Sequence, residues 1–230
     1  MTTFYFADTE TTDAGPGASV CEVGWIRTDG DFNILETVES LIDPQQMISP
    51  AASGIHGLVN ADVENSPTLE EYFTENDPAC FGRKLDPNAV VVGHRIGFDM
   101  RFLAPYFETP PVELDTLRWV RKLYPDMDDH KLSTCIFALG LPRSAGAHRV
   151  LADVMSAYYL CKHICERTGM TLQQLAEAST EPMELKTYPF GKHKGTPFRE
   201  VPKSYLRWAR ENMKDLDMDM SYTLNLLLSK

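Results

Sequence analysis

A chain of 230 residues with 43% apolar and 24% charged side chains has the size of one medium domain plus a small appendage, and its composition excludes a disordered protein. Its 22 Lys+Arg against 33 Asp+Glu give a formal charge of −11, which speaks against unspecific attraction to nucleic acid or anionic membrane over the whole surface. Met1-Thr2-Thr3-Phe4 has neither the basic nor the apolar region of a secretory signal, and runs such as Ala89-Val90-Val91-Val92 are far too short for a bilayer, so no membrane association and a cytoplasmic location are expected.

Thr2 to Asp8 reads as a short buried strand rich in aromatics. Val20 to Arg27 and Phe32 to Ile42 read as two more, joined by the hairpin turn Thr28-Asp29-Gly30-Asp31. Ser49-Pro50 marks a helix start, with Ser as cap and Pro at the first helical position. A helix over Thr68–Asn76, a strand over Ala89–Val92, a helix from about Phe98 to Phe107 and a short strand over Val112–Leu114 follow. Helices are then predicted at Thr116–Leu123, Leu132–Leu139, Val150–Arg167 and Thr171–Ala178. A meander of strands followed by alternating helices and strands is an α/β plan with a mixed sheet.

Ser179-Thr180-Glu181-Pro182 breaks the pattern like a linker, and the composition changes beyond it. Residues 183–214 carry eight Lys/Arg against three acids, a balance of +5, whereas residues 1–182 carry −14. The five cysteines, Cys21, Cys80, Cys135, Cys161 and Cys165, are odd in number and form neither a zinc pattern nor a disulfide framework. Cys161 and Cys165, four apart in a helical stretch, are either a metal pair or small apolar packing residues.

Three acidic segments carry chemistry. In Asp8-Thr9-Glu10-Thr11-Thr12, residues i and i+2 of an extended chain point to one face, so two carboxylates emerge side by side at a strand's end. They are a polar turn, or a cation neutralises them; oxygen ligands suit Mg²⁺ or Mn²⁺. In His94-Arg95-Ile96-Gly97-Phe98-Asp99, Asp99 falls at a helix start after a buried strand, where a carboxylate also complements the helix dipole. In His148-Arg149-Val150-Leu151-Ala152-Asp153, five helical residues span ~500°, so His148 and Asp153 serve one site only if His148 lies on the preceding loop.

In this order and setting the segments resemble the DEDDh 3′→5′ exonucleases of the RNase H-like superfamily, over roughly residues 3–166. Asp43-Pro44 and Ile55-His56-Gly57-Leu58 match the family's stretch between its first two motifs. The resemblance implies a mixed five-stranded β-sheet flanked by α-helices. It assigns Asp8, Glu10, Asp99 and Asp153 as ligands of two divalent metal ions, Mg²⁺ or Mn²⁺, and His148 as the base that deprotonates the attacking water. Nucleoside 5′-monophosphates would leave from a 3′ end. Thr11, Thr12, Ile55 and His56 are then expected near the terminal nucleotide. One position departs: the family's second motif reads His-Asn-x-x-Phe-Asp, and Arg95 stands where Asn is usual, either facing a substrate phosphate or pointing to solvent.

Phe190-Gly191-Lys192-His193-Lys194-Gly195, with Val201-Pro202 and Tyr205-Leu206-x-Trp208, resembles the C-terminal module of exodeoxyribonuclease X-like proteins. The implied organisation is an exonuclease domain over 1–178, a linker over 179–187 and a small basic α+β module over 188–230. Lys192 and Lys194 would contact phosphates there. Tyr205, Trp208 and Ala209 at i, i+3, i+4 read as an inward helical stripe, with Trp208 buried. DNA is the expected partner, single-stranded or duplex at its 3′ end. RNA, as in RNase T and the oligoribonucleases, a non-catalytic nucleic-acid- or polymerase-binding role, and a protein partner docking on the module are the alternatives.

Overall fold

The computed structural model describes residues 2–76, 89–107, 109–143, 149–214 and 216–229. Strands β1 (Phe4–Thr11), β2 (Val20–Thr28) and β3 (Ile34–Leu41) form an antiparallel meander, and β4 (Val90–Gly93) and β5 (Val112–Asp115) add in parallel on the other side of β1. The order β3-β2-β1-β4-β5 is the expected mixed five-stranded sheet.

Side-chain alternation along β1 divides the core into two layers. Phe4 and Phe6 face a cluster built with Trp119 and Val120 of α5 (Thr116–Leu123), Cys135 and Ile136 of α6 (Leu132–Ala138), Tyr158 and Ile164 of α7 (Val150–Thr168) and Leu172 and Leu175 of α8 (Leu172–Ser179). Cys161 and Cys165 are buried in this cluster as packing residues; Cys80 lies outside the described residues. Tyr5 and Ala7 face the opposite layer, with Trp25, Tyr72, Phe73, Met100 and Leu103. Asp8 and Glu10 continue the parity of Phe4 and Phe6, toward α7.

Local chemistry sets the other elements. Ser49 caps α1 (Pro50–His56) as expected, its hydroxyl accepting from Ala52 N at 3.2 Å with Pro50 in the first turn. After α2 (Asn60–Val63), the predicted helix at 68–76 is α3 (Leu69–Glu71), capped by Thr68 and continued by a wider π-type turn over Tyr72–Asn76. The helix predicted at 98–107 is shorter: α4 (Met100–Leu103) passes into a 3₁₀ turn over Ala104–Tyr106, because Pro105 has no N–H to continue an α-helical ladder. Among the described residues no helix is long and apolar enough to cross a membrane.

Beyond Pro182, α9 (Lys203–Asn212) and α10 (Met218–Leu228) enclose their own cluster of Leu185, Tyr188, Phe198, Val201, Leu206, Ala209, Met220 and Leu224. Among the described residues the β part of this module is one bridge between Thr187 and Pro197. Trp208 departs from expectation: it is 48% exposed. Leu206 and Ala209 occupy the inner face of α9, packed in one cluster with buried Tyr188 and Phe198. The segment read as a linker is clasped to the body. The Arg118 guanidinium donates to Ser179 O (2.5 Å), Glu181 O (2.9 Å) and both oxygens of Asp219 (2.7 and 2.8 Å), and Trp119 Nε1 donates to Ser179 Oγ at 2.8 Å.

Candidate active site

β4 pairs with β1 only from Phe4 to Phe6, so the last residues of β1 run past it with β2 as their ladder partner. A shift of register after Glu10 ends the regular ladder. The carboxylates therefore stand at the C-terminal edge of parallel strands, next to the point where the chain crosses from β3 to β4, a common site for ligand crevices in open α/β sheets.

Asp8, Glu10 and Asp153 come together here, with carboxylate oxygens all within 4.8 Å of one another. The parity of β1 aims the first two at α7, whose first turn holds Asp153. Asp99 arrives from the other layer, at the start of α4. Its Oδ1 accepts from Thr9 N at 2.9 Å and from Thr9 Oγ1 at 2.6 Å, so it is tied to the residue between Asp8 and Glu10. Its charge reaches Asp8, whose proton affinity it raises. His148 lies outside the described residues.

The acids raise one another's proton affinity. Burial, then the charges of Asp99, Asp153 and Glu10, push Asp8 well above the usual carboxylate range. Burial, then Asp153 and Glu22, push Glu10 to about 8. Burial pushes Asp99 to about 7 against the opposing effect of the Thr9 hydrogen bonds. Half-buried oxygen donors packed at this distance are a hard, anionic ligand set, and a divalent cation relieves the repulsion that the protein leaves uncompensated. The donor set fits Mg²⁺ or Mn²⁺.

The residues expected to contact substrate divide into two groups. Thr12 is buried and turned to the fold: its hydroxyl accepts from Ser19 N (3.1 Å) and Gln46 Nε2 (2.6 Å), and its N–H donates to Ser19 O. Thr11 is buried with its hydroxyl donating to Asp13 O at 2.8 Å. His56 is also a bracket within the protein. Its Nδ1 accepts from Leu58 N at 3.1 Å, which leaves Nε2 to donate to Thr11 O at 3.3 Å. The polar groups of these three hold β1, the loop after it and α1 together. Ile55, by contrast, is 59% exposed beside His56. Arg95 is exposed, and Lys192 and Lys194 are exposed on the C-terminal module.

Two residues of the site were missed from sequence. Glu22 lies opposite Glu10 on β2 and is completely buried, and Arg149 binds it at the start of α7. An acid inside the apolar run Val20-Cys21-Glu22-Val23 was the available signal. His94, part of the second motif, is structural: Nε2 donates to His130 O at 2.7 Å, Nδ1 sits 3.0 Å from Thr116 Oγ1, and burial lowers its pKa to about 4.

A family model described as exonuclease, RNase T, matches residues 5–161. Exodeoxyribonuclease 10 of Escherichia coli (strain K12) is 27% identical over 200 residues, which span 84% of this chain and 86% of that protein. A structure of exonuclease X in complex with 5′ overhanging duplex DNA is similar with a TM-score of 0.60 at 26% identity, over 78% of this chain and 99% of the other. The zinc-bound E. coli exonuclease I–single-stranded DNA complex shares the fold, with a TM-score of 0.65 at 21% identity over 77% of this chain and 42% of the other.

Proposed function

We propose, from the premise that this chain belongs to the RNase T exonuclease family, that it is a DEDDh-type 3′→5′ exodeoxyribonuclease that releases nucleoside 5′-monophosphates from DNA ends. The observation that carries this reading is the convergence of Asp8, Glu10 and Asp153 within 4.8 Å, with Asp99 hydrogen-bonded to the intervening Thr9.

Asp8, Glu10, Asp99 and Asp153 would hold two divalent ions, Mg²⁺ or Mn²⁺, which supply neutralisation of the phosphoryl oxygens and of the leaving 3′ oxygen. The protein's own part is positioning and proton transfer. β1 and α7 hold three carboxylates rigidly, so no reorganisation is needed when substrate arrives. His148 takes the proton of the attacking water, the general-base role of an imidazole. Ile55 offers an exposed apolar surface to the terminal base. Lys192 and Lys194, on the basic module, meet phosphates farther along the strand. The DNA named with exonuclease X and exonuclease I supports DNA as substrate.

The test is direct. End-labelled single-stranded DNA, duplex DNA and RNA are incubated with Mg²⁺ or Mn²⁺, with the wild type and with Asp8→Ala. Mononucleotides should appear from the DNA 3′ end and vanish in the variant. No release from any polymer refutes the exonuclease reading, release from RNA alone moves the substrate to RNA, and activity persisting in Asp8→Ala refutes the assigned site.

A further inference from the structure

The chain has three tryptophans, and two of them are core: Trp25 is 0% and Trp119 2% exposed. Trp208 is 48% exposed on α9 of an otherwise well-packed module. It does not stand alone. Its ring packs 5.5 Å from that of Tyr205, and Tyr205 packs 4.5 Å from the His193 ring. His193 and Tyr205 both lean on fully buried Tyr188, and Phe190, 38% exposed, lies against the same ring at 5.4 Å. The result is a continuous file of rings, anchored in the module's core and open to solvent at both ends.

Backbone hydrogen bonds fix the loop that carries His193. Gly195 N donates to Tyr188 O and Tyr188 N to Thr196 O, both at 2.8 Å, and Thr196 N donates to His193 O at 2.9 Å. The aromatic surface is therefore formed before any ligand arrives, so little conformational entropy is lost on binding. Exposed cations surround it, with Asp129 close enough to Lys194 to feel its charge. Lys192 and Lys194 flank His193, and Lys203 and Arg207 share one side of α9; all four are exposed, and among the described residues none of them makes a salt bridge. This is the +5 segment of a chain whose remainder is strongly acidic.

We propose that Trp208, Tyr205 and His193 form a base-stacking platform for single-stranded nucleic acid, with Lys192, Lys194 and Arg207 on its phosphates. Ring faces next to exposed cations fit a ligand that alternates flat π-systems with negative charge, and only unpaired bases expose their faces. The inference rests on the reading that this chain acts on nucleic-acid ends, and it places the strand on the second module as well as at the carboxylates.

Intrinsic fluorescence tests it, because Trp208 is the solvent-exposed tryptophan. The full-length protein in EDTA is titrated with a short oligothymidylate and with an abasic strand of the same length. Oligothymidylate should quench the emission and bind about tenfold more tightly than the abasic strand. Trp208→Ala should remove the quench and bring oligothymidylate down to the abasic affinity, and Trp208→Phe should restore most of the affinity. Equal affinity of the wild type for both strands, a quench that survives in Trp208→Ala, or no oligonucleotide binding at all would overturn the platform, the last in favour of a protein partner on this face. If Trp208→Ala does not fold, the wild-type comparison of the two strands decides alone. Nucleotide release with Mg²⁺ is measured in a separate arm. Release without base-dependent binding sinks the platform and keeps the exonuclease; base-dependent binding without release does the reverse.

Discussion

Arg149 grips Glu22 where α7 meets β2: Nη2 lies 2.5 Å from Oε1, and Nε lies 3.1 and 3.2 Å from the two carboxylate oxygens. Val150 N, in the first turn of α7, approaches Glu22 Oε2 at 3.4 Å, so a carboxylate from the sheet serves the helix N-terminus, where Arg149 itself provides no side-chain cap. The approach is close. A Cβ on Gly24 would stand 2.7 Å from Val150 Cγ1, so only glycine lets the helix settle here. Since Glu22 is the cross-strand partner of Glu10, this contact sets Asp153 of α7 against Glu10 of β1.

Losing Arg149 leaves a completely buried carboxylate with one long N–H contact, whereas losing Glu22 leaves an arginine that is already 45% exposed and still 3.9 Å from Glu39. Arg149→Ala should therefore cost roughly 2 kcal/mol, reduced from the buried-pair range by that exposure, and Glu22→Gln less. Arg149 also opposes the rise in the Glu10 pKa, and the same positive charge disfavours a cation at the acids, so its removal should not lower Mn²⁺ affinity unless α7 itself moves. Urea unfolding and Mn²⁺ titration of each variant check both statements. An Arg149→Ala protein of unchanged stability would show that the pair does not set α7.

The acid cluster makes the cation-free protein sensitive to pH in an unusual direction. Glu10 has a pKa of about 8 in the fold against an ordinary 4.5, and Asp99 about 7 against 3.8. The native state thus keeps protons that the unfolded chain has released, and stability must fall as pH rises. Stability in EDTA should be greatest at and below about pH 4 as far as these groups go, decline up to about pH 8 and level off above it. Glu10→Gln should flatten the decline, and Mg²⁺ or Mn²⁺ should restore the lost stability at high pH by binding the deprotonated form. Unfolding midpoints across this range, with and without cation, decide it; a cation-free midpoint that rises with pH would contradict the assignment.

How far the sequence revealed this architecture depended on the range of the interactions. The i, i+2 spacing of Asp8 and Glu10 and the position of Asp99 after a strand were local patterns, and strand parity carries the first pair onto the α7 face. Burial of Thr12 and His56 was not visible, because Gln46, which holds Thr12, and Thr11, which holds His56, lie 34 and 45 residues away in sequence. Trp208 was misjudged for a related reason. A stripe at i, i+3, i+4 fits two rotations of α9, and the choice of Leu206 with Ala209 as the inner pair was made by Tyr188 and Phe198, residues from outside the helix.

Arg95 shows a departure explained by backbone geometry. Its φ is +68°, in the left-handed region where most side chains are strained and asparagine is better tolerated, which fits the Asn of the motif that this segment resembles. Its N–H donates to Asp115 Oδ1 at 2.8 Å, and Asp115 also caps α5, so the conformation is held from the neighbouring strand. Arg95→Asn should raise stability by about 1 kcal/mol, read from urea unfolding. If the guanidinium also meets a substrate phosphate, the same variant should bind DNA more weakly and with a salt dependence smaller by about one charge. A loss of stability would mean that the side chain contributes more than its exposed position indicates.

The Arg118–Asp219 pair joins the two parts of the chain across 101 residues of sequence. Asp219 is 2% exposed and also accepts from Met183 N at 2.7 Å, so it organises the start of the basic module, while Arg118 holds the carbonyls of Ser179 and Glu181. Arg118→Ala leaves a buried carboxylate with its backbone donor alone and frees both carbonyls, which should destabilise by about 3 kcal/mol. The loss should fall on the junction first. Limited proteolysis should cut near residues 179–187 in the variant and spare the wild type, since cleavage requires local opening of clasped backbone. Asp219→Asn keeps the shape and the Met183 contact but weakens the grip on Arg118, so it should show the same cleavage at a smaller cost. If neither variant is cut faster than the wild type, the module is held to the body by its apolar contacts and the clasp is incidental.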